Sequence, residues 1–228
     1  MHAAAGPRRA LLIDAMGTLV ALSPPARRLR AELERRCRVT VSSAESERAL
    51  AAEIAYYRAH MQDGQDLASV AALRRACAET LQRALPAAAA DLDLDLVTQV
   101  LLASLQFEAL PDARPALQRA RSRGERVIVL SNWDVTLPEV LARVGLRDLV
   151  DGVISSASVG SRKPDRAIFV RALEVAGVRP AQARHVGDSL EEDVAGGQAA
   201  GIPVLWLNRK GGPVPPGVTA IASLAELG

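Results

Sequence analysis

Apolar and polar positions along the chain fall into three rhythms. Leu11-Leu12-Ile13 is an unbroken apolar run that stops on Asp14 and then turns through Gly17-Thr18. Such a run, closed by a turn signal, predicts a strand buried on both faces, as in a parallel sheet. After a break at Pro24-Pro25, apolar residues recur every three or four positions up to about Leu110. This spacing predicts helices over Ala26–Arg38, with Leu29, Leu33 and Cys37 on one face, and over Leu67–Leu85, with Leu73, Cys77 and Leu81. Between them, Ser42-Ser43-Ala44-Glu45 is a helix-start pattern leading through Leu50, Ile54 and Tyr57 to an interruption at Gly64. A further helix is predicted over Asp95–Phe107, and no strand-like alternation occurs anywhere in this block.

From Pro111 the rhythm becomes strand–helix–strand. Short apolar runs at Val127–Leu130, Val153-Ile154, His185-Val186 and Val204–Leu207 alternate with helical stretches closed by Gly124, Gly145, Gly177 and Gly201. The tail fits a short edge strand and a terminal helix. The alternation predicts an α/β fold with a doubly wound, Rossmann-like parallel sheet. That core is expected in two pieces, residues 1–19 and 110–228, with residues 20–109 inserted as an all-helical lid or cap. Ligands of such sheets bind at the carboxyl ends of the strands, where the strand order reverses.

Composition narrows the class. Of 228 residues, 49% are apolar and only 3% aromatic, so Ala and Leu fill a sizeable core. The net charge is +2, almost all positive charge is Arg, and the arginines are interspersed with acids on the predicted helices. These are solvated faces and not a stripe for nucleic acid. Cys37 and Cys77 lie far apart with no CxxC or Cys/His metal spacing, as expected of reduced packing residues in a cytoplasmic protein. The start, MHAAAGPRRA, leads into too short an apolar run for a signal peptide, and no run is long enough to span a membrane. The expected partner is a small molecule, with no nucleic acid or membrane, and the expected assembly is a monomer or homodimer.

Candidate chemistry collects at predicted strand ends and the loops beside them. Asp14 ends the first strand, Ser131-Asn132 the second, and Asp188 follows the run at His185-Val186, with Asp193 five residues on. Lys163, one of two lysines, precedes a helix. Singly, each is an ordinary turn, cap or surface residue. In order, they carry a resemblance. DAMGTL at Asp14–Leu19, SN at Ser131-Asn132, SRKPDRAIF around Lys163 and HVGDSLEEDVAGGQAAG from His185 resemble the four motifs of the haloacid dehalogenase superfamily, which is mostly phosphatases. The resemblance covers Leu11–Leu22 and Pro111 to the C-terminus. The helical block matches that superfamily's inserted cap in position and length, though not in any motif.

The resemblance implies roles. Asp14 would attack phosphorus and form an aspartyl-phosphate. Mg²⁺ would be held by Asp14, Asp188 and the Met16 backbone carbonyl, with Asp193 in support. Lys163 would neutralise the phosphoryl oxygens and Asp14, Ser131 would hold a remaining oxygen, Asn132 would help orient substrate, and Thr18 would brace the nucleophile loop. One position departs. Phosphatases of the superfamily usually carry a second Asp two residues after the nucleophile, where it protonates the leaving oxygen and then activates water. Here that residue is Met16, and a thioether transfers no protons. Asp134, Glu191, Glu192 and cap residues are candidate replacements, and the sequence does not choose among them. The primary reading is Mg²⁺-dependent hydrolysis of a small phosphate ester. The alternatives are a 2-haloacid dehalogenase, which needs no acid because halide leaves unaided, and a catalytically weak binding protein. A phosphonatase would need a cap lysine, and residues 20–109 contain none. A mutase relies on the missing acid.

Overall fold

The computed structural model describes residues 9–227. In chain order these form β1 (Ala10–Ile13), β2 (Val20–Leu22), α1 (Pro25–Cys37), α2 (Ser43–His60), α3 (Leu67–Ala84), α4 (Leu94–Ser104), β3 (Phe107–Ala109), α5 (Ala113–Ser122) and β4 (Arg126–Ser131). There follow α6 (Leu137–Arg143), β5 (Gly152–Ser155), α7 (Ser156–Val159), α8 (Arg166–Ala176), β6 (Ala183–Gly187), a π-helical turn (Leu190–Ala195) running into α9 (Gly196–Ala199), β7 (Val204–Leu207) and β8 (Thr219–Ile221). Two compact units result: the chain up to Ala21 together with the chain from Ala109, and Leu22–Glu108.

The first unit is a six-stranded sheet in the order β5-β4-β1-β6-β7-β8, with every pairing parallel. It is the expected α/β doubly wound sheet. All four residues of β1 are buried, because helices cover both faces of a parallel sheet and leave no solvated side for a polar position. β1 sits at the centre, with β4 on one side and β6 on the other. The carboxyl ends of these three strands therefore flank the point where the strand order reverses. Leu12, Ile128, Leu130 and Ile154 of the sheet pack against Ile168, Phe169, Ala172 and Leu173 of α8.

The second unit is built from α1–α4. Its apolar stripes meet in one core containing Leu29, Leu33, Leu50, Leu73, Cys77, Leu81, Val97 and Leu101. The helix start read at Ser42–Glu45 is a full capping box: Ser42 accepts from the Glu45 N–H and the Glu45 carboxylate accepts from the Ser42 N–H. One expectation is corrected. The helix predicted over Asp95–Phe107 stops at Ser104, and Phe107–Ala109 is strand, paired with Val20–Leu22 in a two-stranded ribbon. At this end of the helix Leu105 is extended, and the Gln106 carbonyl accepts from the N–H of Ser23, a residue far away in the sequence. Strands of three residues are too short for alternation to register in the sequence. The terminal helix is likewise reduced to a single 3₁₀ turn, Leu224–Glu226.

Candidate active site

Asp14 follows β1 directly and extends its ladder, donating its N–H to the Val186 carbonyl at 2.9 Å. The chain then doubles back: the Ala15 carbonyl accepts from the N–H groups of Thr18, Leu19 and Val20, and the Gly17 N–H reaches the Val20 carbonyl at 2.8 Å. Gly17 has φ +79°, and a Cβ there would overlap the Asp188 carboxylate. Glycine is thus required twice at this position, for the left-handed turn and for the approach of Asp188. At the end of β6, Gly187 meets the second requirement alone: a Cβ there would overlap the Asp193 carboxylate.

Around Asp14 the residues read from the sequence do meet. Asp14 Oδ1 accepts from Ser131 Oγ at 2.9 Å and from Lys163 Nζ at 2.6 Å. Lys163 Nζ also donates to Asp193 Oδ1 at 2.5 Å. Asp14, Lys163 and Asp193 are all buried, and ligand atoms of Asp14, Asp188 and Asp193 lie within 4.8 Å of one another. Burial alone would lower Lys163, but Asp14 and Asp193 beside it outweigh burial and hold it above its ordinary range, as an ammonium. Burial raises Asp14, Asp193 adds to this, and Lys163 and Ser131 only partly offset it. Asp193 is held below the ordinary carboxylate range: burial opposes this, and Lys163 and His185 overcome it. Asp188 is pushed up to about 6 by desolvation and by the Asp14 and Asp193 carboxylates.

Three further residues read from the sequence sit around this cluster. The Asn132 side chain is occupied by the backbone of Lys163: its Oδ1 accepts from the Lys163 N–H at 2.8 Å, and its Nδ2 donates to the Lys163 carbonyl at 3.0 Å. This pair of bonds fixes where the lysine leaves the main chain. The Thr18 hydroxyl is buried with no hydrogen-bond partner among the described residues, while its backbone carbonyl accepts from Arg209. Met16 sits half-buried in the turn and bridges to Val20. Of the candidate replacement acids, Asp134 accepts from both the N–H and the hydroxyl of Thr136, at 2.7 and 2.5 Å, and Glu192 pairs with Arg162 at 3.6 Å.

Sequence reading missed the supports of the site. His185, fully buried in β6, places Nε2 2.9 Å from Asp193 Oδ1 and Nδ1 3.2 Å from the Leu12 carbonyl, so both ring nitrogens face acceptors. A polar ring inside an otherwise apolar strand, two residues before Gly187-Asp188, was the available signal. Trp206 Nε1 donates to the Asp188 carbonyl at 2.9 Å. Arg209 bonds to the turn after Asp14 itself, and nothing in the sequence near it indicates this.

The four motifs thus converge on one cluster at the carboxyl ends of β1, β4 and β6, and comparison with known proteins gives that cluster a family. The model for haloacid dehalogenase-like hydrolases matches residues 8–201, and the chain belongs to this family. Over 96 residues it is 41% identical to haloacid dehalogenase-like hydrolase domain-containing protein 3 of Bos taurus, covering 42% of this chain and 38% of that one. The match therefore spans about two-fifths of the length of that curated relative. Over 123 residues the chain is 37% identical to the pyrimidine 5'-nucleotidase YjjG of Escherichia coli strain K12, covering 52% of this chain and 54% of that protein. A crystal structure of a HAD phosphatase from Thermococcus onnurineus aligns over 96% of this chain and 95% of its own, with a TM-score of 0.66 and 26% identity. Among the described residues, no helix is long and apolar enough to cross a membrane.

Proposed function

We propose that the protein is a Mg²⁺-dependent hydrolase of small phosphate esters that uses Asp14 as its nucleophile. The observation that carries this is the pairing of Lys163 with Asp14 and Asp193 inside a cluster of three carboxylates. A dehalogenase has no need of that excess of negative charge, whereas a hard cation and a phosphoryl group together balance it. The name of the Escherichia coli relative, a nucleotidase, agrees with a phosphate ester as substrate.

The residues present fit such a cation. Asp188 is raised to about 6 by desolvation and by the two neighbouring carboxylates, and a cation would relieve that opposition to its charge. Asp193 is already committed to Lys163, His185 and the Ser189 N–H, which suits support through water more than direct ligation. Asp14, Asp188 and the Met16 carbonyl would hold the Mg²⁺, which when bound would offset negative charge between nucleophile and phosphoryl group.

In the reaction, an Asp14 carboxylate oxygen forms a bond to phosphorus as the bond from phosphorus to the leaving oxygen breaks, and that oxygen departs with the electron pair. Lys163 keeps its proton and lowers the repulsion between carboxylate and phosphoryl oxygens. Ser131 donates a hydrogen bond to the nucleophile, and Asn132 keeps Lys163 in reach. Water then attacks phosphorus and gives up its proton to solvent, the bond to Asp14 breaks with its electron pair returning to the carboxylate, and inorganic phosphate leaves. At Met16 no group gives or takes a proton, so the first step favours leaving oxygens that are stable as anions. The 2-haloacid reading is favoured by one observation only, the same Met16.

The test is turnover of acyl, aryl and alkyl phosphates and of 2-chloropropionate, each with Mg²⁺ and with chelator. Phosphate ester hydrolysis abolished by chelator is the expected result. Haloacid turnover that survives chelator, without any phosphate ester hydrolysis, overturns the proposal.

A further inference from the structure

We infer that Arg209, anchored by Asp112, is a positioning residue that holds the turn after Asp14 in its working shape; the inference rests on Asp14 being the nucleophile. Arg209 lies just past β7, outside residues 8–201 that match the family model. Its guanidinium grips the turn by two consecutive peptides: Nε donates to the Gly17 carbonyl at 3.2 Å and Nη2 to the Thr18 carbonyl at 3.0 Å. The opposite edge of the same fork is bidentate on Asp112, Nη1 to Oδ2 at 2.8 Å and Nη2 to Oδ1 at 2.9 Å.

Asp112 is itself immobilised. Its Oδ2 also accepts from Ser223 Oγ at 2.7 Å and from the Leu224 N–H at 2.9 Å. Burial works against its charge, but Arg209, Ser223 and Leu224 bring its carboxyl down to about 2, so it is a fixed anion at neutral pH. The segment after β7 therefore ties the first turn of the site to the start of α5 through one planar cation.

The chemistry needs this residue type. A guanidinium presents five N–H groups in one rigid plane, which lets it serve two carbonyls and a carboxylate together. A lysine in its place is a point charge that would satisfy Asp112 and release the carbonyls. Within the turn, three N–H groups converge on the single Ala15 carbonyl and the Gly17 N–H reaches the Val20 carbonyl, while Gly17 takes a left-handed conformation that the bonds around it must maintain. Asp14 leaves the main chain at one end of this turn. Loosening the turn shifts the attacking oxygen while leaving Lys163, Ser131 and Asp188 in place on other elements.

The experiment compares the natural full chain with Arg209→Lys and Arg209→Ala in two arms. In the first, steady-state hydrolysis of p-nitrophenyl phosphate with Mg²⁺ is measured. A displacement on the order of 1 Å at an attacking atom costs about 100-fold in rate, so kcat should fall about 10- to 100-fold while KM changes less than about 3-fold. Added methylguanidinium should restore part of the kcat of Arg209→Ala, whereas a merely destabilised protein would lose activity in that chaotrope. In the second arm, amide hydrogen exchange is followed without substrate or metal. The N–H groups of Gly17, Leu19 and Val20 should exchange at least about 10-fold faster in Arg209→Lys, with those of Leu11–Ile13 unchanged.

Unchanged exchange in the turn in both variants overturns the inference, as does a kcat within 2-fold of the natural protein. If the natural protein hydrolyses no phosphate ester, the proposed function falls, and the exchange arm alone decides the role of Arg209. If Arg209→Ala does not fold, the lysine variant decides both arms.

Discussion

Glu53 is an acid placed where its helix should be apolar. The buried residues of α2 are Ser46, Ala49, Leu50 and Glu53, a stripe at helical spacing that faces the core of its unit, and Glu53 is only 3% exposed. The charge-relieving contact at its carboxylate is a hydrogen bond from the Cys77 thiol of α3, a weak donor. Desolvation outweighs that bond and raises Glu53 from 4.5 to about 7. A folded-state pKa above the unfolded value means that the folded protein binds the proton more tightly. The associated stability is fully present below pH 4.5 and is lost as pH rises through 7, after which the curve is flat. A shift of this size corresponds to at most about 3 kcal/mol, from the cost of one pKa unit.

Glu53→Gln keeps the shape and the acceptor for Cys77 and removes the titration. Urea unfolding followed by far-UV circular dichroism, for both proteins from pH 4.5 to 8.5, measures the effect. The variant should match the natural protein near pH 4.5 and exceed it by up to about 3 kcal/mol at pH 8.5. Taking the difference between the two proteins cancels whatever else titrates in this window. A difference that stays constant across the range would show that Glu53 ionises freely in the folded state, and the burial argument would then be wrong.

Two further predictions concern the site. In the natural protein, aryl and acyl phosphates should turn over while alkyl phosphates barely do, with a burst as the Asp14 phospho-enzyme accumulates; Met16→Asp should raise the steady-state rate on alkyl phosphates by about 10-fold or more. Equal rates on alkyl and aryl esters in the natural protein would show that another residue already supplies the proton. Asp188→Asn should weaken Mg²⁺ binding by at least about 10-fold in titration calorimetry, because it removes one of three converging carboxylates; unchanged affinity would place the metal elsewhere or nowhere.

Much of this protein was determined by local pattern alone. The buried run at Leu11–Ile13, the strand–helix alternation after Pro111, the capping box at Ser42–Glu45 and the four motifs at Asp14, Ser131, Lys163 and Asp188 depend on residues close together in the chain. Periodicity and motif spacing record such neighbours directly. The ribbon of Val20–Leu22 with Phe107–Ala109 was not legible, because three-residue strands have no period of their own and form only when two distant segments meet. The partners of the site residues were illegible for the same reason. That Asn132 holds Lys163, that His185 holds Asp193, and that Arg209 reaches back across nearly the whole chain to Gly17 and Thr18 follows from which strands lie side by side. Polar side chains such as His185, Arg209 and Glu53 look like ordinary residues in a sequence. Only a specific neighbour in the folded chain, which the sheet order and helix packing decide, gives them their partners and their work.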